Sequence, residues 1–320
     1  MRNESASAVT YAPPALPAVR KIAFADLNAA LAEGWQDFTR KPSHVLLLGI
    51  IYPIIGLFMA RLTFGYDVLP LLFPLAAGFA LLGPFAGLGF YEISRRREQG
   101  LDPSWWSVFS LLRGKSRGSI LAFGALLMLI FFAWIGTAET VYTSLFGDAP
   151  AMSLSGFVHQ IFETTEGRTV TIVGIGIGFL FALLTFSISV VSFPLLVDRD
   201  VSAPAAIVTS VKVVLANPIT MMAWAAIIAA ALIAGSLPLF IGLAIVLPVL
   251  GHASWHIYRK ASRLEHPVSN RTRASGCLLV CTLVLVCTHV AQACVSFHVW
   301  MAPLISCGHG ARCQVNPAPR

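Results

Sequence analysis

"LPVLGHASWHIYRK" runs from Leu247 to Lys260. An apolar stretch gives way within three turns to two histidines, a tryptophan, a tyrosine and two cations. On a helix, His252 and His256 share one face, because residues four apart lie one above the other. Apolar body, aromatic belt and cationic end is also the order in which a helix leaves a bilayer. That order occurs a second time. "GPFAGLGFYEISRR" (Gly83 to Arg96) aligns on it without gaps. Pro84 meets Pro248, Gly87 meets Gly251, Tyr91 meets Trp255 and Ile93 meets Ile257, while Arg95 and Arg96 meet Arg259 and Lys260. Opposite His256 stands Glu92, and opposite His252 stands Leu88. Matching exits with different polar groups predict interfacial helix ends rather than a paired ligand set.

Composition agrees with a membrane setting. The 320 residues are 57% hydrophobic and 12% charged, against about 25% charged in soluble domains. Mean hydropathy is +0.77. Apolar blocks predict an all-α, polytopic helical bundle of six spans: roughly Ser43–Ala60, Val68–Phe90, Ser119–Gly136, Thr169–Phe193, Ile219–Gly235 and Leu239–Trp255. Several match the ~18 apolar residues that a crossing needs. The last two are joined by "SLP" (Ser236 to Pro238), a tight hairpin.

The net charge of +7 follows the loops, so orientation explains it and no nucleic acid is implied. Arg20, Lys21, Arg40 and Lys41 lie on one side with Arg95–Arg97, Arg113, Lys115, Arg117, Arg199, Lys212, Arg259, Lys260 and Arg263. The rule that cationic loops stay inside places both ends of the six-span unit in the cytoplasm. The expected location is a plasma (inner) membrane, with a cytoplasmic N-terminus and the lipid bilayer as first partner. A membrane-protein partner or a second copy would be a further one.

The segments before spans one, three and five share a design: a short amphipathic helix, a polar break, then a span. Asp102-Pro103 and Ser202-x-Pro204 are sound helix starts. Leu27, Ala30, Leu31, Trp35 and Phe38 form one apolar stripe; Ile207, Val211, Val214 and Leu215 form another. The chain therefore divides into a disordered tail (1–20) and a membrane domain (21–265). That domain reads as three repeats, about 21–97, 98–200 and 201–265. The remainder, 266–320, holds all six cysteines. Two readings of it stay open: a seventh span over Cys277–Phe297, or an out-of-frame end. The DNA read in its other frames tests the second.

Chemistry-bearing motifs are few. Trp35, Trp105, Trp106, Tyr91 and Trp255 are expected as aromatic anchors, and Arg95, Arg96, Arg259 and Lys260 as the cationic clamp. Glu92, His252 and His256 are the candidate functional polar groups. For Glu92 the simpler expectation is a pair with Arg95 and Arg96, one turn on. A metal site usually needs three or four ligands, and the histidine pair lacks them, so no metal or cofactor is expected. "GIGIG" (Gly174 to Gly178) lies inside a span, where small residues favour close helix packing. No catalytic set is found, and an enzyme is not expected. Thr185, Ser187, Ser189 and Ser192 are the polar stripe of the spans.

The exit at 247–260, the preceding "VLANPITMMAWAAIIAAALIAGSLPLFIGLAIV" and "SFPLLVDRDVSAPAAI" resemble the bacterial predicted integral membrane proteins of the domain of unknown function 2189 family, over about residues 20–265. The resemblance implies a bacterial inner-membrane protein and brings no activity or binding residues. A non-catalytic scaffold or assembly protein is the expected function; a transporter or channel for a small solute or lipid is the alternative.

Overall fold

The structure is a computed structural model that describes residues 17–40, 54, 74–75, 83–111, 113–147, 154–238 and 240–263. Most of spans one and two, and the whole 266–320 segment, lie outside the described residues. So do residues 1–16 of the N-terminal tail.

The described chain is mostly helical. A two-residue strand β1 (Ala18–Val19) precedes α1 (Phe24–Arg40). Then come α2 (Gly83–Ala86), α3 (Leu88–Glu98), a 3-10 turn (Trp105–Ser107) and α4 (Val108–Leu111). The long α5 (Arg117–Phe146) is followed by α6 (Leu154–Glu163), α7 (Thr165–Ser189) and α8 (Ser192–Asp198). Last are α9 (Ala203–Ala216), α10 (Pro218–Ser236), α11 (Leu243–Ala261) and strand β2 (Ser262–Arg263).

Among the described residues, three helical stretches are long and apolar enough to cross a membrane: Arg117–Phe146, Thr165–Asp198 and Pro218–Ser236. They cover the expected third, fourth and fifth spans. Helix α11, read as the sixth, is not among them, because its C-terminal half carries His252, His256, Arg259 and Lys260.

Local chemistry sets the boundaries. Asp26 accepts the Ala23 amide (2.8 Å), the back-reaching half of a capping box at the start of α1. Thr164 caps α7 by accepting from Gly167 N–H (2.9 Å). The expected fourth span breaks at Val190–Val191, and Ser210 of α9 repairs the break. Its hydroxyl donates to Ser187 O (2.8 Å) and accepts from Val191 N–H (3.2 Å). Unpaired backbone groups are costly away from water, so the insertion of a hydroxyl into a break is a common remedy. The polar stripe turns inward as well: Ser189 and Ser192 donate to Thr185 O (2.6 Å) and Ile188 O (2.5 Å). Within "GIGIG", only Gly178 meets a neighbour, the Trp134 ring; Gly174 and Gly176 face open space.

The α10–α11 hairpin closes more slowly than "SLP" suggests, with Leu243 the first residue of α11. A Cβ at Gly242 would come within 2.7 Å of Gly235 O, so the turn requires the glycine.

The exits converge. Helices α3, α8 and α11 pack on one another, α1 lies along α11, α4 touches α3, and α9 packs on α8. From these helices Tyr91, Leu195, Leu196, Trp255 and Ile257 are buried in one apolar cluster. The two ends of the described unit also meet. Strands β1 and β2 pair antiparallel, Ala18 with Arg263 and Val19 with Ser262. Asn217 reinforces this corner by accepting from Ile22 N–H (2.9 Å) and donating to Arg20 O (2.9 Å).

Candidate functional site

Helix α1 covers the end of α11. Its buried stripe is Leu27, Ala30, Gly34, Asp37 and Phe38, which differs from the expected one: Trp35 is exposed and Gly34 replaces it. The reason is the approach of the helices. A Cβ on Gly34 would lie 2.7 Å from the Ala253 backbone nitrogen. The glycine lets α1 press against α11, and that brings the next turn, with Asp37, over the two histidines.

Asp37 is the hub. It accepts from Ser94 Oγ (2.8 Å) and lies 3.0 Å from His256 Nε2. Arg97 adds an ion pair at 3.3 Å and also donates to the Asp37 carbonyl. Burial alone would raise the Asp37 pKa, but the hydrogen bonds from His256 and the Ser94 hydroxyl outweigh it and hold the group at about 2. Since Ser94 spends its proton on Asp37, its oxygen accepts from His252 Nδ1–H (2.7 Å). That assigns the proton to Nδ1. His252 Nε2 is buried without a hydrogen-bond partner, and the ring stands edge-on to Phe90. The other histidine is held at both ends: Glu33 lies 3.2 Å from His256 Nδ1. Lys260 closes the chain by donating to Glu33 (2.8 Å).

A second group lies on α3. Glu92 is 0% exposed. It accepts from Arg95 Nε (2.7 Å), Arg95 Nη2 (2.9 Å) and Arg96 Nε (2.8 Å). The Glu92 hydrogen bond raises the Arg95 pKa against its burial. Buried charge is tolerated where it is paired and hydrogen-bonded. A third group ties α8 to α11. Tyr258 donates to Asp198 (2.6 Å), and Arg259 pairs with Glu98 (3.1 Å) and Asp198 (3.5 Å). Burial, then the Asp198 charge, pushes the Tyr258 hydroxyl up.

The expected site residues sort as follows. His252 and His256 lie beneath α1, His252 fully buried and His256 half-buried. Tyr91 and Trp255 are likewise inside the protein, where they cannot face headgroups; Trp255 donates to Glu98 Oε1 (3.1 Å). Trp35 and Trp106 are exposed, and the Trp105 side chain lies outside the described part. Arg95, Arg96, Arg259 and Lys260 are bound to carboxylates rather than presented as a clamp. Among the described residues, no group of three or more His, Cys, Asp or Glu is placed to hold a metal ion.

Glu33 and Asp37 were not anticipated. One signal could have found them. With Gly34 on the buried stripe, Asp37 falls three residues on and Glu33 four before it, on one helical face.

The long apolar stretches of α5, α7–α8 and α10, with charges paired off beside them, are those of an α-helical integral membrane protein. Residues 71–198 match the model of the family described as "Predicted integral membrane protein (DUF2189)". The match is narrower than the resemblance read from the sequence. It includes Glu92, Ser94 and the α3 arginines, and leaves α1 and the histidines of α11 outside. No curated protein and no solved structure matches the chain.

Proposed function

We propose that this protein is a non-catalytic scaffold or assembly protein of a bacterial inner membrane, acting through a rigid cytoplasmic face. One observation carries the reading. Where α3, α8 and α11 meet, side chains fill the space, and the charges beside it are spent on one another. A transport pathway needs polar groups free to meet a solute at mid-membrane. The hydroxyls of Ser189 and Ser192 are bonded to their own helix instead.

The six-span, three-repeat organisation belongs to the same proposal. Support comes from the order of packing. Helix α4 of the second repeat lies on α3, the exit of the first. Helix α9 of the third lies on α8, the exit of the second, and α1 of the first lies on α11, the exit of the third. Each leading helix caps the preceding exit, and the set closes into a ring. An even number of crossings is supported by the β1–β2 pair, since strands that hydrogen-bond lie on one side of a bilayer.

Three measurements test the reading. Reporters that distinguish cytosol from periplasm, fused before Ala18 and after Arg263, should both report cytosol; a split result removes the topology. Full-length protein in liposomes should show no solute flux above empty vesicles. Robust flux that Glu92→Gln abolishes would replace the scaffold by the transporter. A membrane protein, or a second copy, should copurify in fixed ratio.

A further inference from the structure

We propose that the Leu101–Arg117 segment is a binding surface for anionic phospholipid headgroups, with Arg113, Lys115 and Arg117 as the phosphate-facing cations and Trp106 and Phe109 as the aromatic floor.

The argument starts with what the other cations do. Arg95, Arg96, Arg97, Arg199, Arg259 and Lys260 are all committed to carboxylates. Arg113, Lys115 and Arg117 are exposed and meet no acid among the described residues. Three positive charges thus fall within five residues with nothing among the described residues to neutralise them. Clustered cations at a membrane surface are the common signature of anionic-lipid recognition.

Depth is fixed by the chain itself. Arg117 is the first residue of α5, which is long and apolar enough to span. Its neighbours therefore sit where that span meets water. The loop is also held in place. Ser116 Oγ donates to Arg199 O (3.1 Å), and the Arg113 and Gly114 amides donate to Ser110 O (3.1 Å) and Leu111 O (3.3 Å). A pre-formed surface loses less freedom when it binds.

The apolar half of the surface precedes the cations. Trp106 is 62% exposed and Phe109 50%, and their rings lie 5.8 Å apart. Trp106 lies in the 3-10 turn, Phe109 in α4, and Arg113 just beyond the end of α4. Leu101 is exposed beside it. Aromatic rings with a water side and a lipid side favour the headgroup level. A soluble phosphate compound would need the cations alone. The exposed rings next to them select a lipid.

The test uses full-length protein in mixed phosphatidylcholine and phosphatidylglycerol micelles, with retained lipid counted by native mass spectrometry. Wild type should retain phosphatidylglycerol in preference. The combined R113Q, K115Q and R117Q variant should lose that preference by about tenfold or more, given the usual contribution of each surface cation. A variant carrying R113K and R117K should keep it. Replacing two other exposed cations, R20Q with R40Q, should leave it intact. Should the triple variant fail to fold, Lys115→Gln alone, which touches no described acid, must still lower the preference. An unchanged preference in the triple or single variant overturns the proposal, as does equal loss in the R20Q/R40Q control. Displacement of the lipid by inorganic phosphate, but not by chloride at equal ionic strength, would assign the cations to a soluble anion and overturn it too.

Discussion

Asp37 and His256 lie 3.0 Å apart on two helices that are 219 residues apart in sequence. If their contact holds α1 to α11, alanine at both positions should cost less than the two single changes added together. The magnitude comes from two routes. Asp37 holds Ser94, His256 and Arg97, and removing one partner of a buried charge pair costs about 3–5 kcal/mol. His256 keeps Glu33, and Arg97 keeps the Asp37 carbonyl, so the lower end applies. Independently, the fall of the Asp37 pKa from 3.8 to about 2 corresponds to about 2 kcal/mol. We expect Asp37→Ala to cost about 2–3 kcal/mol and His256→Ala about 1–2 kcal/mol, with a coupling of about 1 kcal/mol or more. The assay is unfolding of the full chain in mixed micelles titrated with denaturing detergent, followed by tryptophan fluorescence. Effects that add to within about 0.5 kcal/mol would refute the contact as a source of α1 docking.

The same carboxylate gives a pH dependence with a definite sign. Its pKa is depressed on folding, so its stabilisation is complete above 3.8 and is lost as pH falls toward about 2; Asp37→Asn should flatten that limb of an acid-unfolding curve. Gly34→Val should destabilise by about 1–3 kcal/mol or more, because the new carbon meets Ala253 backbone, and protease sensitivity of α1 should rise. Gly251→Ala should also destabilise in the same assay, since its Cβ would come within 2.8 Å of the Phe90 Cβ, an atom that no ring rotation moves away. Ser210→Ala leaves Val191 N–H and Ser187 O without their partner, which should cost about 1–3 kcal/mol and speed amide exchange at Val191.

Much of the fold was legible in the sequence. Uniform apolar runs fix the bilayer as solvent, because a helix that is apolar all round has no other stable surroundings. Hence α5, α7 and α10 fall where hydropathy places them. The proline of Ser202-x-Pro204 marked the start of α9 for the same local reason: its effect is felt within one turn. The exits at Gly83–Arg96 and Leu247–Lys260 share one order of residues, apolar, then aromatic, then cationic.

What tertiary structure alone decided is where those exits look. Read along one helix, His252, His256, Tyr91 and Trp255 match residues of a membrane–water boundary. Their surroundings come from Glu33 and Asp37, more than two hundred residues before the histidines, and from Ser94 on another helix. Periodicity reports which face of a helix is apolar, but not that Gly34 admits a second helix close enough to bury charge. Hydropathy is a sum over neighbours in sequence and is fixed by the chain. Charge pairing depends on neighbours in space, and only the packing of α1 on α11 supplied them.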